Sequence, residues 1–137
     1  MECRVSLLAL VIGTLLNMGL GALWYSPVLF AKVWMKEAHV TPEDLATSQG
    51  KMGMMYGLTG VSALLTSYVI GVFILNLKIM NIAGALGFAI LLWLGTNIPA
   101  IVKNWSFEGR TIKLGIINHG YDLVVYVLVS MVYVIIG

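Results

Sequence analysis

The sequence predicts an all-α membrane protein: a four-transmembrane-helix bundle with a short interfacial amphipathic helix after the first helix. Of the 137 residues, 60% are hydrophobic and only 10% are charged, whereas a soluble domain carries about 25% charged residues. Four apolar stretches, joined by short links, are each long enough to supply the roughly 20 residues that cross a bilayer. We therefore expect residues 1–137 to form a single transmembrane domain.

The membrane helices are expected at residues 5–23, 52–75, 82–102 and 112–136. In the first helix, Gly13 and Gly21 lie on the same face as Asn17, and small residues around an asparagine favour close approach of another helix. In the second helix, Gly53 and Gly57 begin a stripe of small residues that predicts a homo-oligomer interface. In the third helix, Pro99 predicts a kink.

Two shorter helices are expected between the first two membrane helices, at residues 27–36 and 42–48. Phe30 and Trp34 share one face of the first short helix and two lysines share another, which is typical of a helix lying in the membrane plane. The second short helix follows Thr41, a favourable N-cap residue. The residues expected at the membrane interface are Trp24, Tyr25, Phe30, Trp34 and Trp105.

The distribution of basic residues predicts the orientation in the cell (inner) membrane. The first and third loops carry Lys32, Lys36, Lys51, Lys103, Arg110 and Lys113, whereas the other side carries only Arg4 and Lys78. Because basic residues favour the cytoplasmic side, loops 1 and 3 are expected in the cytoplasm and both termini outside.

The last membrane helix carries most of its polar residues along one face. At 100° per residue this face contains Gly115, His119, Asp122, Tyr126, Ser130 and Tyr133, with Asn118 at its edge. A carboxylate in the middle of a membrane helix costs about 2.5–3.5 kcal/mol on the insertion scale. Asp122 is therefore expected to have partners within the protein, and the pair His119 and Asp122 suggests a site or a pathway.

The other three helices place polar residues at a similar depth, roughly 8–12 Å from the cytoplasmic interface at 1.5 Å per residue. The predicted ligand- or proton-binding residues are Asp122, His119, Asn118, Asn97, Asn17, Tyr126, Tyr56 and Thr59. Equal depth is necessary for a shared site but does not by itself bring the residues together.

Residues 21–27 read GALWYSP and are followed by Phe30 and Trp34, with Asn17 upstream and FEGR at residues 107–110. In these features the chain resembles the bacterial membrane proteins grouped as domain of unknown function 1761. The resemblance covers essentially the whole chain. It implies a four-helix bundle and brings no established activity.

Two functions are compatible with the buried polar layer. The first is binding or translocation of a small solute or proton by an oligomer, with Asp122 and His119 at its centre. The alternative is a non-catalytic structural or accessory membrane subunit, in which the same residues only form interhelical hydrogen bonds. The expected partners are the lipid bilayer and, through the small-residue face of the second helix, further copies of the chain. An accessory subunit would also dock a partner through its interfacial aromatic and lysine residues.

Several other classes of function are not expected. The net charge of +2 is too small and too scattered to indicate nucleic-acid binding, and no residue spacing indicates a metal site or a cofactor. Glu108 and Asp122 are 14 residues apart, or roughly 20 Å of helix, which is too far for joint acid–base catalysis. We therefore do not expect an enzyme.

Overall fold

The computed structural model describes residues 1–47 and 52–137, and within these two ranges the chain contains helices and no strand. The helices are α1 (Leu7–Trp24), α2 (Ala31–Glu37), α3 (Pro42–Thr47), α4 (Met52–Asn76), α5 (Ile82–Glu108) and α6 (Ile112–Ile135). Among the described residues, α1, α5, α6 and Gly53–Asn76 of α4 are long and apolar enough to cross a membrane. The predicted all-helical chain with four candidate membrane helices is confirmed.

The long helices begin and end within two residues of the predicted bounds, except at the end of α5. This helix continues through Pro99 and ends at Glu108 rather than at residue 102. It ends there because Gly109 adopts a left-handed conformation with φ 70° and donates its N–H to the carbonyl oxygen of Asn104. The proline therefore does not terminate the helix.

The short helix α2 begins at Ala31, four residues later than expected. Residues 26–30 form a turn instead, in which the N–H groups of Leu29 and Ala31 both bind the carbonyl oxygen of Ser26. The Ser26 hydroxyl donates back to the carbonyl oxygen of Leu23 at 2.6 Å and is therefore not the N-cap of α2.

The polar helix α3 begins with the predicted cap. The Asp44 N–H donates to Oγ1 of Thr41 at 3.1 Å, and the Thr41 N–H donates to Oδ2 of Asp44 at 2.9 Å. The bond from the Thr41 backbone lowers the pKa of the Asp44 carboxyl below its usual value. Residue 48, the predicted end of this helix, and Lys51 lie outside the described residues.

The last helix holds the bundle together: α6 packs against α1, α4 and α5, and α1 also packs against α4. The buried core consists of Ala9, Ile70, Ile74, Val125, Val129 and Tyr133. A side-chain carbon at Gly13 would lie 3.3 Å from both Oγ of Ser67 and Cγ1 of Val129. Gly13 is therefore where α1 approaches both neighbours closely, as its small-residue face predicts.

The small-residue stripe of α4 is divided between two environments. Residues 53–59 are all exposed, so the described residues leave this part of α4 largely uncovered. From Ala63 onward the stripe faces the core: Ala63 and Ser67 are buried, and Gly71 lies against the ring of Tyr133. Among the described residues, none lies within 4 Å of a side-chain carbon built at Gly53 or Gly57.

Candidate functional site

Asp122 and His119 lie one turn apart on α6 and interact directly. Oδ2 of Asp122 is 3.5 Å from Nδ1 of His119, and their side chains are 36% and 17% exposed respectively. Both positions belong to a candidate membrane span. The carboxylate is therefore partly uncovered by its own chain, in a region where an unsolvated charge is costly.

Asn97 of α5 completes this pair from the neighbouring helix. Its side-chain nitrogen lies 2.7 Å from Oδ2 of Asp122 and 2.8 Å from Nδ1 of His119. An amide nitrogen carries two hydrogens, so it can donate to both acceptors at once. That arrangement places the ring proton of His119 on Nε2, because a proton on Nδ1 would face the amide nitrogen of Asn97, donor against donor, at 2.8 Å. The geometry thus corresponds to an unprotonated Nδ1, and protonation there requires the Asn97 amide to turn away.

The donors around Asp122 all converge on one of its two carboxylate oxygens. Both Asn97 and His119 contact Oδ2, and no described residue donates a hydrogen bond to Oδ1. A carboxylate accommodates about four lone-pair contacts. The site therefore retains acceptor capacity on the partly exposed side of Asp122.

Two further residues of α5 position this group. The Thr96 hydroxyl lies 2.8 Å from Oδ1 of Asn97 and 2.6 Å from the carbonyl oxygen of Leu92, so it can orient the amide. The indole nitrogen of Trp93 donates to the carbonyl oxygen of His119 at 2.6 Å. Tyr126 lies one turn further along α6, on the same helical face as His119 and Asp122.

A second polar network joins α6 to α1. The Tyr121 hydroxyl donates to the carbonyl oxygen of Asn17 at 2.7 Å and also lies in close contact with Oδ1 of Asn17. Asn17 is only 8% exposed. A side-chain carbon at Gly21 would lie 3.1 Å from the Tyr121 hydroxyl, so the glycine leaves room for it. The Trp24 indole donates to the carbonyl oxygen of Ile117 at 2.8 Å.

Four of the five aromatic residues predicted at the interface form a cluster, and Trp105 lies apart from it. The cluster is formed by Trp24 and Phe30, whose ring centroids are 4.8 Å apart, and by Tyr25 and Trp34, whose centroids are 5.9 Å apart. The Tyr25 hydroxyl donates to Oδ1 of Asn118 at 2.9 Å. Trp105, by contrast, is 54% exposed and lies outside this cluster.

The polar residues predicted at one depth therefore form two networks, on two faces of α6. His119, Asp122 and Tyr126 face α5, whereas Asn118 and Tyr121 face α1. The structure does not bring Tyr56 and Thr59 into either network. Tyr56 is 63% exposed, and the Thr59 hydroxyl donates to the carbonyl oxygen of Met55 at 2.8 Å. Both lie on the unpacked start of α4.

A polar cavity of about 480 Å³ opens where α2 meets the α5–α6 connection. Its lining contains acidic residues (Glu37 and Glu108) and basic residues (His39 and Arg110). Trp34 and Asn118 also line it. Glu37 accepts a hydrogen bond from the Thr111 hydroxyl at 2.7 Å, and Glu108 pairs with Arg110 at 3.4 Å. Asn118 is one helical turn, about 6 Å, from Asp122. We call this cavity the vestibule.

The polar face of α6 continues beyond Asp122 toward the other end of the bundle. Ser130 is fully buried and Tyr133 is 5% exposed, and neither hydroxyl has a hydrogen-bond partner among the described residues. A buried hydroxyl without a partner is costly, and a bound water commonly satisfies it. Polar groups thus recur along α6 from the vestibule to the opposite end.

The sequence interpretation did not single out Trp93 and Tyr121 as site residues. Trp93 lies in the middle of a membrane helix rather than at the interface, and a buried indole N–H normally needs an acceptor. Tyr121 lies one turn from Asn118, and its hydroxyl has the same requirement at that depth. Both requirements are visible in the sequence, but each hydrogen bond goes at least in part to a backbone carbonyl oxygen, which carries no sequence signal.

Comparison with known protein families gives one match that spans almost the whole chain. The family described as "Protein of unknown function (DUF1761)" matches residues 8–134. No curated protein and no solved structure matches the chain.

Proposed function

The chain belongs to the DUF1761 family, whose description assigns no function, and from this premise we propose that it binds and translocates a small solute, most specifically a proton, at Asp122 and His119. The observation that carries the proposal is the geometry of Asp122. Its Oδ2 is held by Asn97 and His119, while its Oδ1 receives no hydrogen bond from a described residue and the side chain is 36% exposed. A carboxylate that served only to join helices would be covered and fully bonded.

The proton is the solute that this geometry suits best. His119 and Asp122 are two titratable groups 3.5 Å apart, and Asn97 donates to the proton-free form of both. A proton that reaches Oδ2 of Asp122 neutralises the carboxylate, and its transfer to Nδ1 of His119, once the Asn97 amide turns away, restores the negative charge of Asp122. Carboxylate–histidine pairs within membrane helices commonly serve as such relays.

Access to the pair is proposed from the vestibule. Its carboxylates, Glu37 and Glu108, attract cations and exchange protons with water. Asn118, which also lines the vestibule, lies one helical turn from Asp122. On the other side, Tyr126, Ser130 and Tyr133 follow at intervals of three or four residues, or roughly 5–6 Å. Waters between these hydroxyl groups would complete a path along α6.

We place the protein in the cell membrane with the vestibule on the cytoplasmic side, because the basic residues of loops 1 and 3 favour that side. The helix α2 lies in the membrane plane, with Trp34 packed against Tyr25. Copies of the chain associate through Gly53 and Gly57, the small residues that the chain leaves uncovered. No catalytic activity is proposed.

Proton flux into liposomes tests the proposal. The purified protein is reconstituted with a pH-sensitive dye inside the vesicles, and the rate of acidification is measured under an imposed pH gradient. Asp122→Asn keeps the shape of the side chain and an oxygen that accepts from Asn97, so we expect an intact fold and a loss of at least about tenfold in flux. Glu43→Gln, which removes one carboxylate from α3, should leave the flux unchanged.

A second candidate function is that of an accessory membrane subunit. It is favoured by the number of hydrogen bonds that join α6 to its neighbours, notably those of Trp24 and Trp93. Wild-type protein with no proton flux, or Asp122→Asn with wild-type flux, would reject the translocation proposal in favour of this one. Co-purification of a defined larger complex would then identify the assembly.

A further inference from the structure

A second cavity, of about 750 Å³, lies at the end of the bundle opposite the vestibule. The chain preceding α1, the end of α4 and the end of α6 enclose it. It is lined by Tyr133, which is 11 residues or roughly 16 Å along α6 from Asp122. The cavity therefore lies apart from Asp122 itself and shares with the proposed proton path only its last hydroxyl, that of Tyr133.

We propose that this cavity binds the phosphate headgroup of an anionic phospholipid from the membrane leaflet on this side. Two cationic side chains, Arg4 and Lys78, line the cavity. Within the described residues, neither forms an ion pair with a carboxylate. Two unpaired cations at the edge of a membrane-spanning bundle attract anionic headgroups.

Arg4 is held in place by the backbone on its N-terminal side. The side chain of Asn76, at the end of α4, accepts from the Glu2 N–H at 2.9 Å and donates to the Glu2 carbonyl oxygen at 2.6 Å. The Tyr68 hydroxyl donates to the carbonyl oxygen of Cys3 at 2.9 Å. The carboxylate of Glu2 accepts the backbone N–H of Arg4 at 3.2 Å and leaves the guanidinium without an ion pair. The segment thus fixes Arg4 beside the cavity.

Lys78 occupies a backbone conformation that normally favours glycine. It follows α4 with φ 54°, and the Ile79 N–H bonds the carbonyl oxygen of Ile74 at 3.1 Å, which is the pattern of a Schellman motif. Glycine would adopt this conformation without steric cost. The chain instead carries a lysine, which supplies a cation at the cavity.

Two uncharged donors complete the anion site. Tyr133 is 5% exposed, and its hydroxyl has no partner among the described residues although it lines the cavity. Ser6, the N-cap of the 18-residue helix α1, also lines the cavity. The helix N-terminus therefore adds its partial positive charge and its unbonded N–H groups.

The apolar part of the cavity favours a lipid over free phosphate. Below the cations its walls include Val5, Ile74 and Val134, which suit an acyl chain and offer nothing to an inorganic anion. The proposal does not depend on proton transfer at Asp122. A protein that fails the flux assay can still bind lipid here, and the two tests fail independently.

Thermal unfolding in detergent micelles tests the proposal, with added phosphatidylglycerol, phosphatidylcholine or inorganic phosphate. We expect phosphatidylglycerol to raise the midpoint temperature saturably by roughly 5 °C and the other two to have little effect. Lys78→Gly removes the cation without backbone strain and should at least halve the rise, as should Arg4→Gln. Tyr133→Phe should reduce it. Lys103→Gln, at the other end of the bundle, and Asp122→Asn should retain it.

Three outcomes would overturn the proposal. The first is an equal rise with phosphatidylcholine, which would show that the anionic charge is not recognised. The second is an equal rise with inorganic phosphate, which would indicate an anion site rather than a lipid site. The third is a full rise in the double variant Arg4→Gln and Lys78→Gly.

Discussion

The side-chain nitrogen of Asn97 lies 2.7 Å from Oδ2 of Asp122, and this hydrogen bond joins α5 to α6 within their membrane spans. Asn97 is 4% exposed, so its amide cannot be replaced by bulk water if it is lost. The amide carries no charge, so it supports the carboxylate through a hydrogen bond and not through an ion pair. The contact therefore joins the two helices at the candidate site.

Replacing Asn97 with alanine should destabilise the protein. Oδ2 of Asp122 and Nδ1 of His119 would lose their shared donor, and an unsatisfied buried polar group costs about 1–3 kcal/mol. The free energy of unfolding is measured by denaturant titration in micelles. Asn104→Ala is the control, because its side chain makes no hydrogen bond with a described residue. Equal stability of the two variants would contradict this role of Asn97.

Tyr121→Phe should cost more stability than Tyr25→Phe. The first change removes the donor to Asn17, which is 8% exposed, at a cost of about 1 kcal/mol. The second removes the donor to Asn118, which lines the vestibule and can bind water instead. Both variants are compared by the same titration, and the reverse order would show that Asn17 does not rely on this bond.

Gly71→Ala should be strongly unfavourable, whereas Gly87→Ala should not. A side-chain carbon at Gly71 would overlap the ring of Tyr133, while one at Gly87 would meet nothing within 4 Å. We expect a loss of about 1–3 kcal/mol for the first and no loss, or a gain of up to about 1 kcal/mol, for the second. Rescue of Gly71→Ala by Tyr133→Ala would identify the ring as the cause.

Glycine at either left-handed position should stabilise the protein. His39 (φ 58°) and Lys78 (φ 54°) are the positive-φ residues other than glycine in the described chain. Relief of this strain is worth about 1 kcal/mol for His39→Gly or Lys78→Gly. Lys103→Gly, inside α5, should instead lower the free energy of unfolding by about 1 kcal/mol. A loss of stability at positions 39 and 78 would show that their side chains stabilise the fold.

The sequence was sufficient to predict the four membrane helices, because length and hydropathy determine them. It also indicated that Gly13 and Asn17 lie on a packing face of α1. The end of α5 was less predictable: the residues after 102 are polar enough to suggest a loop, but the left-handed Gly109 terminates the helix only after Glu108. Local polarity does not report where a helix cap forms.

The candidate site was only partly predictable. The sequence indicates how deep a residue lies in the membrane, but not which neighbouring helix its side chain faces. Asn17 and Asn97 lie at similar depths, yet they contact different faces of α6. Tyr56 shares the helical face of Ala63, but it is 63% exposed, whereas Ala63 is buried. Which helices meet, and where they diverge, depends on the whole bundle.

The central position of α6 also constrains how the protein is made. Among the four membrane helices α6 is synthesised last, and α5 has its main packing partner in α6. Until α6 enters the bilayer, Asn97 has neither Asp122 nor His119 to bind, and Asn17 lacks the Tyr121 hydroxyl. Before α6 is inserted, the side chains of Asn17 and Asn97 therefore lack the hydrogen bonds that α6 provides. Loss of α6 would therefore remove the main packing partner of α5 together with the hydrogen-bond partners of Asn97 and Asn17.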